Sequence, residues 1–478
     1  MKIKKYRTPL LLLSGCLLGI ILLISSWKTP LNLIFSFSLL LFIIGLLSFM
    51  IHTAMRWFKR STIKKVFAGL FAIISLAIFS IVLIASTDIR LLLPKSPSEP
   101  LTKEQWMEDF DFLDESLQTH PAYNDSLGLK LNEFKSEIAA LPSVSDHQAF
   151  VTAMKMVNLF QDGHSQVVPL PLYIKRPKYL PIQIHIFSDG LYITNSSKDK
   201  DLIGGRIISI NSQPIEAIID KVSTVIGADN PWGMKYHSGL YLTNMDLLKG
   251  LGIVPSTDQT ILEISKDGKL ITEELKSVSA IKWMMWSLAP VDDERPVSWN
   301  IRTAKTKVEV KNDSLIWMTF NQTKSEELLS TIGNQIYHQA YGKSIRHLVI
   351  DMRNNTGGNN ETYNDLIKRL AETKIDITVL TSRKTFSAGI NFISELQLAR
   401  DFRIIGEPTG AGHNHYGDPQ TLFLPNSGLM LTLSTRTWSF IPELSDKTIL
   451  PDLFIEYSSS DYFTHEDPWI KALDTNVK

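Results

Sequence analysis

Hydrophobic positions divide the chain into two textures. Near the N-terminus they form three runs, Leu10 to Ser26, Leu31 to Ile51 and Val66 to Ala85, of 17, 21 and 20 residues without a charge. A bilayer core of about 30 Å needs about 20 helical residues at ~1.5 Å each, so three transmembrane helices are predicted within 1–90. Residues 91–101 read as a linker stiffened by Pro94, Pro97 and Pro100. Beyond it apolar residues become periodic. Thr102-x-x-Gln105 is a capping box ahead of Trp106, Phe110, Leu113 and Leu117 at helical spacing. That helix is predicted to end at His120-Pro121. A second helix carries Phe134, Ile138 and Leu141. A third starts at Ser145-x-x-Gln148 and carries Phe150, Met154 and Val157.

After His164 the pattern changes to short β-rich segments and turns, such as Tyr192 to Thr194 and Arg206 to Ile210, up to about residue 305. The remainder alternates. His347 to Met352, Ile375 to Leu380 and Phe402 to Ile405 read as strands, and Thr362 to Leu370 and Ile390 to Ala399 as helices. Strand–helix–strand order implies parallel pairing. The expected domains are therefore 1–90 in the membrane, 91–101 linker, 102–164 helical, 165–305 β-rich and 306–470 α/β.

Charge sharpens the division. Residues 1–94 hold 11 Lys and Arg against one acid, Asp88, whereas 95–478 hold 38 basic and 48 acidic side chains. The acidic larger part argues against nucleic-acid binding. Lysine and arginine crowd the N-terminus (Lys2, Lys4, Lys5, Arg7) and the second loop (Arg56, Lys59, Arg60, Lys64, Lys65), while the first loop has Lys28. The rich flanks are expected on the cytoplasmic side, which places everything after Ala85 outside the cell membrane. The one cysteine, Cys16, lies in the first run. Leu13-Ser14-Gly15-Cys16 has the outline of a lipoprotein cleavage box, but the chain stays apolar after it, so a cysteine within a membrane helix is expected. Residues 95–478 can have neither a disulfide nor a thiol nucleophile.

Sites in α/β sheets form beyond the carboxyl ends of strands. Ser387 sits there, before a helix, as either an N-cap or a nucleophile favoured by the helix N-terminus. Gly357-Gly358, on the neighbouring turn, is either an ordinary strand-to-helix turn or a pair of N–H donors to an oxyanion. A serine nucleophile needs a base. His164, in Asp162-Gly163-His164-Ser165, and the pair His413 and His415, in a glycine-rich loop, are the candidates. His413, His415 and Asp418 could be a metal fragment, but no further ligand motif accompanies them, so no metal is expected. No phosphate-binding glycine loop is present, and no cofactor is expected.

Six segments together resemble the tail-specific, or C-terminal-processing, serine peptidase family. They are Phe160 to Ser165, Ile210 to Pro214, Leu348 to Gly358, Thr385-Phe386-Ser387-Ala388-Gly389, Ile405 to Gly410 and Leu450-Pro451-Asp452. The resemblance spans about 100–460. It implies an α/β crotonase-like (ClpP-like) serine protease core, with a helical N-terminal subdomain and a small β-rich, degenerate PDZ-like module. It implies Ser387 as nucleophile and Gly357, Gly358 and the Ala388 N–H as oxyanion hole. One branch of the family uses a lysine about 25 residues after the serine, but Pro408 to Gly417 contains none. The other branch, similar to the tricorn core and to interphotoreceptor retinoid-binding protein, implies His164 as base and a carboxylate near the C-terminal Pro-Asp as its orienting acid. Glu443 is the first expectation for that acid, with Asp446 and Asp452 as rivals. The tricorn pattern has a serine where this chain has Gly163. A membrane-anchored serine peptidase with polypeptide substrates is expected, the alternative being an inactive peptide- or apolar-ligand-binding module on the same fold.

Overall fold

The computed structural model describes residues 99–168, 177–287, 306–342, 345–444 and 446–476. The three apolar runs lie outside the described residues. Among the described residues no helix is long and apolar enough to cross a membrane.

Helices α1 (Lys103–Leu117), α2 (Asp125–Ala140) and α3 (Asp146–Asn158) come first. Both predicted capping boxes form. The Thr102 hydroxyl accepts from the Gln105 N–H while the Gln105 side chain accepts from the Thr102 N–H, and Ser145 and Gln148 repeat the exchange. Each box satisfies otherwise orphaned donors, an effect of ~1 kcal/mol. Trp106, Phe110, Leu113 and Leu117 share the buried face of α1. A short strand, β1 (Gln166–Val167), follows the turn that holds His164.

The β-rich module is an antiparallel sheet, ordered β2-β3-β4-β5-β6, built from Ile182–Phe187, Gly190–Ser196, Arg206–Ile210, Gln259–Lys266 and Lys269–Lys276. Between β4 and β5 the chain forms α4 (Ile215–Ser223) and α5 (Pro231–Tyr241), and α5 lies against β2.

The α/β part is a six-stranded sheet. Its strands are β7 (Lys307–Val310), β8 (Leu315–Thr319), β9 (His347–Asp351), β10 (Asp376–Thr381), β11 (Arg403–Gly406) and, at the far edge, Leu453–Phe454. All pairs are parallel except β7 with β8. The connecting helices are α6 (Glu326–Gly342), α7 (Asn364–Glu372) and α8 (Ala388–Ala399). Parallel strands bury both faces. Ile350 and Val379 meet Leu366, Phe392 and Ile393 on one side, while Val349, Leu380 and Ile405 meet Tyr457, Tyr462 and Trp469 on the other.

Two contacts cross the boundaries expected from sequence. The long hairpin β12 (Asn414–Phe423) and β13 (Met430–Ser439) pairs with β1, and Leu431 and Leu433 join the core that contains α1 and α3. The stretch read as a glycine-rich loop around His413 and His415 is buried and runs into β12. Arg383, in the turn after β10, donates to the Ile186 carbonyl of β2 and to Glu407 and Glu456. Its guanidinium is buried with both carboxylates, and this pairing offsets its desolvation.

Candidate active site

Ser387 lies between β10 and α8 at φ 53° and ψ −128°, a conformation rare for a residue with a Cβ. Such backbone strain costs ~1–3 kcal/mol and persists where its surroundings over-determine it. Here Phe386 N–H donates to the Asn355 carbonyl, and Gly389 N–H donates to the Phe386 carbonyl. The N-cap alternative fails, because the Ser387 side chain makes no capping bond to the helix. Its Oγ lies instead 2.9 Å from His164 Nε2. These two residues are 223 positions apart in the chain.

The Asp162-Gly163-His164 turn follows α3. The His164 ring stacks on Phe386 with centroids 4.4 Å apart, and lies nearly parallel to His415 at 5.9 Å. Its backbone N–H donates to Asp162 Oδ1, and that same oxygen lies 3.7 Å from Nδ1. Nδ1 is buried and has no hydrogen-bond partner among the described residues. At 3.7 Å the contact is coulombic rather than a formed hydrogen bond. Gly163 leaves no room for the serine of the tricorn pattern, since a Cβ there would sit 2.8 Å from Asp229 Oδ2 and 2.9 Å from Phe386 Cζ.

Asp162 is fully buried yet well supplied with donors. His120 Nε2 lies 3.1 Å from Oδ2, and Ser165 Oγ donates to the same oxygen at 2.5 Å. Ala122 N–H donates to His120 Nδ1, so the network assigns the His120 proton to Nε2. Burial works to raise the Asp162 carboxyl. The donors around it, His120 foremost, overcome that and hold it well below the usual carboxylate range. Asp229, just ahead of α5, accepts the Gly163 N–H at 2.9 Å. Burial, and then the charge of Asp162, push Asp229 up to about 7. Asp229 therefore binds a proton in the folded state over a range where the unfolded chain has lost it. The contribution of this one carboxyl to stability therefore falls as pH rises from about 4 to about 7. Asp229→Asn keeps the acceptor for Gly163 and removes the ionisation. Relative to wild type it is expected to raise Tm above pH 7, by a margin that shrinks as pH falls toward about 4, as thermal unfolding across pH will show.

The loop histidines do not reach the serine. His413 Nδ1 pairs with Ser394 Oγ at 2.7 Å, and His415 Nδ1 donates to the Gly412 carbonyl at 3.1 Å. Burial lowers both, His415 to about 4. Both are therefore neutral at physiological pH, and His415 acts as a flat wall behind His164. Among the described residues no cluster of three potential metal ligands exists.

The expectation for Glu443 needs correction. Its side chain is exposed and makes no hydrogen bond or ion pair among the described residues. Asp446 is exposed too, and Asp452 accepts the Ile404 N–H at 2.7 Å, which fixes it to β11. Among the described residues, Asp162 is the carboxylate within 4 Å of the His164 ring nitrogens.

The glycine turn is also more specific than its sequence implied. Gly357 N–H already donates to Asn355 Oδ1, so it is not a free donor. Gly358 and Ala388 N–H groups have no partner among the described residues. Gly357 and Gly358 sit at φ 104° and 144°. A Cβ on Gly357 would lie 2.7 Å from Ser387 Cβ, and one on Gly358 would lie 2.5 Å from the Thr323 carbonyl oxygen. Side chains there would force the turn away from Ser387. Asn355 ties the two turns together: its Oδ1 accepts from Gly357, its Nδ2 donates to the Phe320 carbonyl, and its own carbonyl accepts from Phe386. Sequence reasoning missed Asn355, His120 and Asp229. Asp162 was in view, two residues before the histidine, but was not assigned.

No protein-family model and no curated protein matches the sequence. Solved structures do. Mature CPAF complexed with lactacystin superposes with a TM-score of 0.55 over 78% of this chain and 97% of that one, at 13% identity. Mature CPAF alone gives 0.54 over 78% and 96%, at 12% identity. The photosystem II D1 C-terminal processing protease is matched over 74% of this chain and 94% of that one at 14% identity, with a TM-score of 0.36. At these identities the likeness is one of fold. The chain has the fold of mature CPAF.

Proposed function

We propose that this chain is a serine peptidase of the C-terminal-processing type, anchored in the cell membrane with its peptidase part outside the cytoplasm. The observation that carries the chemistry is the 2.9 Å approach of His164 Nε2 to Ser387 Oγ beside two unpartnered N–H groups. Ser387 donates its proton to His164 as Oγ attacks the scissile carbonyl. Gly358 and Ala388 N–H groups receive the oxyanion as it forms. The buried negative charge of Asp162 stabilises the imidazolium through the 3.7 Å approach to Nδ1. His164 then returns the proton to the leaving amine, and water repeats the sequence on the acyl-enzyme. The crotonase-like core, the degenerate PDZ-like module and the membrane anchor belong to the same reading. Support for the anchor comes from the three apolar runs and their basic flanks.

The test is a serine-reactive fluorophosphonate with the purified full-length protein. Labelling is expected at Ser387, together with hydrolysis of an unfolded polypeptide. If the intact protein neither labels nor hydrolyses, the peptidase reading fails and the ligand-binding alternative takes its place.

A further inference from the structure

The edges of the His164 ring are unequally occupied. Its faces are covered by Phe386 and His415, Nδ1 points to Asp162, and Nε2 to Ser387. That leaves Cε1, beside Gly417 of β12. A Cβ on Gly417 would stand 3.9 Å from His164 Cε1 and 2.9 Å from Trp438 Cδ1. The missing side chain is what lets the Trp438 indole come over β12 toward the imidazole. Trp438 is paired across the hairpin with His415, so both side chains project from one face of the sheet. Phe440 stacks parallel to the indole, with 5.9 Å between centroids and 1° between planes, and the Arg436 guanidinium lies 4.9 Å from the indole centroid. Both aromatic rings are half-buried. They form a fixed apolar wall at the edge of the site, on a strand that past Ser434 has no second strand neighbour among the described residues.

The proton that His164 delivers goes to the leaving amine, so the substrate residue carrying that amine must pass the Nε2–Cε1 edge of the ring. We propose that Trp438 and Phe440 form the subsite for the residue immediately after the cleaved bond, and that it selects polypeptides with a large apolar or aromatic side chain there. This rests on the peptidase reading above and names its substrate class. Burying such a side chain against a rigid aromatic wall is worth about 10–200-fold in discrimination over a small one.

The experiment uses the full-length protein and internally quenched peptides that differ in the residue after the scissile bond, with Phe or Leu set against Ala or Asp. Wild type is expected to show a kcat/KM for Phe at least about tenfold above that for Ala. Trp438→Ala is expected to collapse that ratio, and Trp438→Phe to retain most of it. Fluorophosphonate labelling of each variant reports the serine separately. If wild type labels and cleaves without preference at this position, or if Trp438→Ala slows all peptides alike with the ratio intact, the subsite is overturned and the peptidase reading stands. If wild type neither labels nor cleaves, the peptidase reading itself falls.

Discussion

Alanine at Ser387 is expected to lower kcat/KM for any peptide by about 10⁴–10⁶-fold while leaving the fold in place. Both halves follow from the geometry. The hydroxyl makes no helix cap, and its recorded partner is His164 Nε2, so its removal orphans no backbone donor. Alanine meets the same positive φ that serine already tolerates, so stability should change by less than about 1 kcal/mol. The measurement pairs kcat/KM and phosphonate labelling with thermal unfolding. Loss of both activities at an unchanged Tm is the expected result. Normal turnover by Ser387→Ala would remove the serine from the mechanism.

His164→Ala is expected to cost nearly as much, because the residues of such a relay act as a unit. The decisive comparison is the double variant His413→Ala/His415→Ala. His415 backs the His164 ring and His413 bonds Ser394, so the double variant should loosen the site and reduce kcat/KM by roughly tenfold, short of abolishing it. If the double variant were inert and His164→Ala active, the base would be His413 or His415.

Local signals in the sequence were reliable where local chemistry decides. The two capping boxes depend on residues three positions apart, the parallel strands around Ser387 follow from the strand–helix–strand order, and both form as expected. The pairing of Ser387 with His164 was legible because each sits in a short motif on a turn. The orienting acid was not. Sequence order favoured Glu443, but which carboxylate meets an imidazole depends on how the long path from His164 to Glu443 closes, and the carboxylate that lies against His164 is that of Asp162, two residues away. Asn355 and Asp229 escaped notice because their partners lie far away in sequence or are backbone groups, and buried polar pairing leaves no periodic trace. The hairpin of β12 and β13 was misread because glycines and histidines look like loop formers, whereas here one glycine makes room for an indole and both histidines are buried.

The distance along the chain between His164 and Ser387 bears on biosynthesis. His164 is made 223 residues before Ser387. Phe386, against which the His164 ring stacks, arrives with Ser387, and His415 on the other side comes later still. A ribosome-bound fragment ending anywhere before β12 therefore has an incompletely walled imidazole, and one ending before Ser387 lacks the hydroxyl that faces it. Contacts of such long sequence separation are among the slowest to form. The His164–Ser387 pair is thus assembled only as folding completes, and on the peptidase reading proposed above the nascent polypeptide would be chemically silent through most of its synthesis.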